Sequence, residues 1–278
     1  MAAAAAFCEA LWVEIASEPA DARRRAAWEG RIAELVVPWN ARLAPGRTDR
    51  SLPLRISAVL DIVHGAVPDD TIVLTGAGHS QAQFLQEYTV SSASQVISPN
   101  GFSTMGFTIP GAIGAKLAAP HRPVLGFAGD GDFLMTVQEL AMAAQYDVDV
   151  TYVVVDNAGL QSIRDLQMDV YGEEHGFAAE FRTPTGASIA PDLVTVARGF
   201  GVKASEATDE PALQAAIGRA LAEGGPNVIV VPVRREYPES AGPVSGWWDV
   251  PVPASLPERR GRYEREVAAV RRDAVKRT

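Results

Sequence analysis

Short apolar runs closed by small and polar residues organise the middle of this chain. Residues 71–75 (TIVLT) run into Gly76-Ala77-Gly78, residues 123–128 (PVLGFA) into Gly129-Asp130-Gly131, and residues 150–155 (VTYVVV) into Asp156-Asn157-Ala158-Gly159. Runs of this length without apolar-polar alternation are what strands buried on both faces require. Two further runs, 95–97 and 227–233, complete a predicted set of strands. Between them the spacing turns helical over 53–63, from Ser80, over 109–119, from Gln161, over 191–198 and over 210–223. Phe133, Val137, Leu140, Met142 and Ala144 predict one further helix, ending near Tyr146. Strands alternating with helices imply an α/β fold: a doubly wound parallel sheet with helices on both faces. Residues 171–190 read as a loop rich in Gly, Glu and Pro.

Residues 1–50 read as a helical arm or linker, with Trp12, Trp28, Leu35 and Trp39 on helical spacing and a loop composition at Pro45-Gly46-Arg47-Thr48-Asp49. Residues 51–235 form the expected α/β domain. Residues 236–278 form a tail that includes Trp247-Trp248-Asp249-Val250-Pro251 and a charged helix over 258–276.

Composition narrows the function classes. The chain has 278 residues, 47% of them hydrophobic, enough for a full globular core. A net charge of -9 argues against nucleic acid or an anionic membrane as partner, since both call for a basic surface. Cys8 is the single cysteine, so the chain forms no internal disulfide and no cysteine-ligated iron-sulfur cluster. The apolar start has no basic leader and reaches Glu9 early, and no apolar run approaches 18 residues. The expected setting is the cytoplasm.

The chemistry concentrates where the two central strands end. Both ends of the predicted strand-helix-strand unit point the same way. Asp130 brings a carboxylate, Asn157 an amide oxygen and the nearby main chain a carbonyl, all hard oxygens suited to Mg2+. Gly129 and Gly131 let the backbone approach a phosphate. The three residues Gly78, His79 and Ser80 follow the first strand at the same carboxyl edge, where ligands bind in such folds. His64, His121 and His175 have no such context and read as surface residues; Glu173-Glu174-His175 reads as a solvated charge run.

The stretch GDGDFLMTVQEL, its spacing to VVVDNAG, and the block Gly101-Phe102-Ser103-Thr104-Met105-Gly106-Phe107 upstream resemble the cofactor signature of thiamine diphosphate enzymes of the acetolactate synthase and 2-oxo acid decarboxylase superfamily. The resemblance implies that Asp130, Asn157 and the carbonyl of Gly159 bind the metal. It implies that Met105 is the apolar wedge bending the cofactor, with main-chain groups of Ser103 and Met105 on the pyrimidine edge. Gly129, Gly131 and the main chain of Asp132 would face the diphosphate, and Leu160 and Gln161 would close over it. His79 is a candidate for diphosphate contact or proton transfer. Asp156 departs from the usual asparagine, and Asp132 from a frequent serine, whose replacement carboxylate must turn away from a diphosphate or be screened by the metal.

The resemblance also implies a second half-site: a pyrimidine-binding domain with a cofactor-activating glutamate. No segment before Gly76 reads as such a domain. The expectation is therefore the diphosphate-binding subunit of a split enzyme, a heterotetramer or larger, which cleaves or forms a carbon-carbon bond next to a carbonyl of a small-molecule 2-oxo acid or α-diketone. The Trp247-Trp248 tail and the loop 157–167 are similar to a ring-opening hydrolase of cyclic 1,2-diketones in inositol catabolism, which stands as an alternative. A non-catalytic regulatory subunit is the alternative of another class.

Overall fold

The computed structural model describes residues 2–17, 22–91, 93–172, 178–187, 189–236 and 252–275. The chain divides into two units, Met1–Ala44 and Pro45–Thr278. The first holds α1 (Ala2–Ser17) and most of α2 (Ala22–Thr48). Phe7, Trp12 and Ile15 on α1 and Trp28 and Leu35 on α2 are exposed. The helix α2 runs through Pro45 and Gly46 to Thr48, where composition predicts a loop. Its end is held by interactions that local propensity does not register: Thr48 Oγ1 donates to the Pro45 carbonyl at 3.4 Å, and Arg47 Nη2 to the Glu87 carbonyl at 2.6 Å.

The second unit follows the alternating pattern. In chain order it comprises α3 (Ile56–Ala66), β1 (Ile72–Thr75), α4 (His79–Glu87), β2 (Gln95–Ile97), α5 (Thr108–Ala118), β3 (Val124–Gly129), α6 (Asp130–Met135), α7 (Leu140–Gln145), β4 (Thr151–Asp156), α8 (Gln161–Tyr171), α9 (Leu193–Gly199), β5 (Lys203–Glu206), α10 (Glu210–Glu223), β6 (Asn227–Pro232) and α11 (Pro257–Val275). The strands form one six-stranded sheet in the order β2-β1-β3-β4-β6-β5, and every pairing is parallel. Strand β5 carries the polar sequence KASE, lies at an edge, and was not anticipated because it lacks the apolar run of a central strand. The single helix expected over 133–146 is instead two helices separated by a 3₁₀ turn at Val137–Glu139, and the first begins directly at Asp130.

Alternation along each central strand feeds two apolar layers. Leu125 and Phe127, Val153 and Val155, and Ile229 and Val231 pack on one face with α3 and α10. Val124 and Ala128, Tyr152 and Val154, and Val228 and Val230 pack on the other with α5, α7 and α9. Burying each of the Val, Leu, Ile and Phe side chains among these contributes roughly 1.5–3 kcal/mol. Two helix starts are capped by aspartates: Asp192 accepts from Thr195 N at 2.9 Å, and Asp209 from Ala212 N at 2.9 Å. No helix of the described residues is long and apolar enough to cross a membrane.

The strand order positions the site. From β1 the chain moves outward to β2, then returns to place β3 on the other side of β1. Parallel sheets open a crevice at such a reversal, beyond the carboxyl ends of the strands.

Candidate functional site

A cleft of about 470 Å³, part of it open to solvent, lies at the ends of β1, β3 and β4. Gly78, His79 and Ser80 line it from the start of α4. Gly129, Asp130, Gly131 and Asp132 line it from the β3 end, and Asn157, Gly159, Leu160 and Gln161 from the β4 end. Met105 reaches it from the loop before α5. Ser103 is not on the cleft wall: it has a left-handed φ of 44°, and its hydroxyl donates to Gln81 Oε1 at 3.2 Å. Ala77, Val155, Ser162 and Ile163 complete the lining. His64 and His121 are exposed, as expected. His175 and the Glu173-Glu174 pair, and Trp247 to Pro251 of the tail, lie outside the described residues.

Asp130 is 3% exposed and serves as the hinge between two strand ends. Its Oδ1 accepts from Gly131 N and its Oδ2 from Gly159 N, each at 2.8 Å. Burial pushes its carboxyl up to about 7, helped by the neighbouring Asp156 carboxyl and opposed by the two main-chain donors. Asn157 Oδ1 is buried without a hydrogen-bond partner among the described residues. A buried amide oxygen left bare costs about 1–3 kcal/mol. Beside a carboxylate that burial disfavours as an anion, that orphan suits a cation: one Mg2+ would satisfy the oxygen and restore the charged carboxylate. No cluster of three His, Cys, Asp or Glu occurs among the described residues, so any metal here relies on amide and main-chain oxygens as well.

A consequence for stability follows from Asp130. The advantage of its neutral form is present below its ordinary value of 3.8 and is lost as pH rises to about 7. In metal-free buffer, the urea midpoint of the native protein should therefore fall more steeply between about pH 4 and about pH 7 than that of Asp130→Ala. Parallel profiles for the two proteins would show that Asp130 ionises without penalty.

Asp132 is also buried, at 2% exposure, but its carboxylate is turned to structure. Its Oδ1 accepts from Gly106 N at 2.6 Å and its Oδ2 from the Thr108 hydroxyl. Burial raises its pKa, against hydrogen bonds from Thr108, Gly106, Ala77 and Phe107. Position 76 must be glycine for this arrangement, since a Cβ there would lie 2.1 Å from Asp132 Oδ1. The carboxylate thus joins the β1 turn, the Met105 loop and the β3 end. Gly131 is constrained in a related way: a Cβ would meet Leu160 Cδ2 at 2.6 Å and Met105 Cε at 3.1 Å, so these two apolar side chains meet over its bare backbone.

Sequence reasoning missed residues that support the site from outside. Asp165 on α8 approaches His79 Nδ1 at 3.5 Å and accepts from Gln161 Nε2 at 2.5 Å, linking two cleft residues. Arg235, after β6, donates through Nε to the Asn157 carbonyl and through Nη2 to the Ala158 carbonyl at 2.9 Å. Nothing in the residue pattern marks these positions; the role of Arg235 follows from β6 lying beside β4, and that of Asp165 from α8 meeting the start of α4.

Residues 76–231, more than half of the chain, match the family model "Thiamine pyrophosphate enzyme, C-terminal TPP binding domain". The acetolactate synthase isozyme 1 large subunit of Escherichia coli (strain K12) is 31% identical over 216 residues, covering 78% of this chain and 36% of that protein. The 3D-(3,5/4)-trihydroxycyclohexane-1,2-dione hydrolase of Bacillus subtilis (strain 168) is 30% identical over 193 residues, covering 68% and 29%. Among solved structures, the thiamine diphosphate-dependent 4-hydroxybenzoylformate decarboxylase of Rhodococcus jostii RHA1 superposes with a TM-score of 0.59 at 25% identity, over 68% of this chain and 34% of that one. The chain spans about a third of the length of these relatives.

Proposed function

We propose that this chain, which belongs to the thiamine pyrophosphate enzymes by its match to their C-terminal cofactor-binding domain, holds the diphosphate of thiamine diphosphate and a Mg2+ ion in the cleft at the β1, β3 and β4 ends. The observation that carries this reading is the bare, buried Asn157 Oδ1 beside the charge-penalised carboxyl of Asp130. Asp130, Asn157 and the Gly159 carbonyl are the proposed metal ligands. The glycines of the β3 end and the turn Gly78-His79-Ser80 offer main-chain approach to a diphosphate. Leu160 and Gln161 cover it, Met105 packs against the bound cofactor, and main-chain groups near Ser103 and Met105 meet its pyrimidine edge.

When bound, thiamine diphosphate supplies the electron sink for breaking or forming a carbon-carbon bond next to a carbonyl. The chain's own residues position it, exclude water through Met105, Leu160 and Ile163, and offer His79 for proton transfer. His79 lines the cleft with Nδ1 at 3.5 Å from Asp165 Oδ2. The proposed substrate is a 2-oxo acid or α-diketone, with decarboxylation or carboligation as the reaction. Hydrolytic ring opening of a cyclic 1,2-diketone is the second reading, supported by the 30% identity to hydrolases of that type. A ligand set with every donor present speaks against a non-catalytic relic.

The deciding experiment is calorimetric titration of thiamine diphosphate with and without Mg2+. Saturable binding that requires the metal supports the reading, whereas no binding in either condition rejects it.

Met105→Ala separates a shaping role from simple packing. Diphosphate and metal contacts carry most cofactor affinity, so, assayed with a pyrimidine-binding partner subunit, the variant should lose about tenfold or more in turnover at saturating cofactor while its affinity changes less. Unchanged turnover would reduce Met105 to a filler of the cleft wall.

A further inference from the structure

We propose that Arg235 and Glu180 form a clip that positions the β4-end loop, so that Asn157 and Asp130 present their oxygens to the metal together; the proposal rests on the metal site put forward above. Arg235 spends its guanidinium on three acceptors. Nε donates to the Asn157 carbonyl, Nη2 to the Ala158 carbonyl at 2.9 Å, and Nη1 to Glu180 Oε2 at 3.0 Å. The chain around Glu180 holds the same loop through its backbone. Glu180 forms an antiparallel bridge with Gly159, Leu160 N donates to the Ala179 carbonyl at 2.6 Å, and Phe181 N to the Ala158 carbonyl at 3.1 Å. Ala158 between these ties has a left-handed φ of 56°, which a residue with a Cβ keeps only where its surroundings over-determine it. The grip extends to the other proposed ligand, because Gly159 N is the donor to Asp130 Oδ2.

Charge explains why two residues are needed. A guanidinium bonded to the carbonyl of a metal-binding residue would by itself repel a divalent ion. Glu180 offsets part of that charge, since its one carboxylate is shared with Arg164 at 2.6 Å and with Arg182. Burial would raise the Glu180 carboxyl, yet these guanidiniums hold it below the usual carboxylate range, so it stays ionised in the clip. Groups that orient metal ligands without touching the metal typically change affinity by about 10–100-fold when removed.

The test measures Mn2+ binding by paramagnetic resonance in the presence of thiamine diphosphate, for the 278-residue chain and for Arg235→Gln, Arg235→Lys and Glu180→Gln, together with amide exchange at Ala158 and Gly159 without metal. Arg235→Gln should weaken Mn2+ by about tenfold or more, and Arg235→Lys should shift the same way, since an ammonium keeps the charge but cannot span both carbonyls and Glu180. Pairing Arg235→Gln with Glu180→Gln should cost less than the product of the single losses. Exchange at the two amides should quicken in every variant that folds. Unchanged or tighter Mn2+ binding in Arg235→Gln would overturn the clip, because loss of mere like-charge repulsion predicts tightening. If the native chain binds no Mn2+ with the cofactor, the metal site itself fails. Exchange then still decides the clip: faster exchange in the variants upholds the loop restraint, and unaltered exchange removes it.

Discussion

Asp130→Ala, and separately Asn157→Ala, should abolish Mg2+-dependent binding of thiamine diphosphate while the protein stays folded. Each substitution removes one hard oxygen from the proposed three-oxygen protein set, and loss of a direct ligand should exceed the roughly 10–100-fold typical of supporting residues. Neither side chain belongs to the two apolar layers of the sheet. Removing Asp130 strands the N–H groups of Gly131 and Gly159, each worth about 1–3 kcal/mol if left dry, but it also relieves the burial of a carboxyl already pushed up to about 7. The two effects oppose each other, so stability should move far less than affinity. Titration calorimetry for the cofactor, with urea denaturation as the folding control, checks both halves. Ordinary cofactor affinity in either folded variant would remove that residue from the metal site.

The second large effect concerns completeness of the active site. The ionisable side chains lining the cleft are His79, Asp130 and Asp132, and both aspartates come from the β3 end and are engaged by main-chain donors. Among the described residues, no glutamate lines it to activate an aminopyrimidine ring. We therefore expect this polypeptide by itself to bind cofactor but turn over negligibly, and to gain about 10²–10⁴-fold in rate once a pyrimidine-binding partner subunit supplies that acid. Sites built between unlike domains favour closed two-fold assemblies, so the active species should be a heterotetramer or larger. Steady-state turnover of the purified chain, before and after mixing with such a subunit, measures the gain. Vigorous turnover without it would end the split-site proposal.

The glycines at the cleft were legible because each answers a local backbone demand, whereas Met105, Leu160 and Gln161 were legible only through the family resemblance. Gly129-Asp130-Gly131 and Asn157-Ala158-Gly159 sit where strands stop, and the spacing between them is that of one strand-helix-strand unit. Strands β3, β4 and β6 were legible as apolar runs for the same local reason. What stayed hidden depends on which elements become neighbours. Arg235 matters because β6 pairs with β4, a relation that spans 78 residues between Arg235 and Asn157 and leaves no periodic trace. Asp165 and Thr108 are hidden likewise, as polar residues on helices whose partners lie on other strand ends. Strand β5 escaped because an edge position needs no apolar run, and the end of α2 because Arg47 anchors a segment whose composition alone reads as a breaker.

The carboxylate of Asp132 has an implication for how this cleft can vary among sequences. It fills the space over Gly76 and serves the N–H of Gly106 and the hydroxyl of Thr108 at once, so these four positions form one compatible set. A serine at 132 is too short to reach all of those donors, and a larger residue at 76 has no room while the aspartate stays. Positions 76, 106, 108 and 132 are therefore expected to change together or not at all. Grafting the metal loop of one relative onto another should succeed only when its matching β1 turn and Met105 loop travel with it.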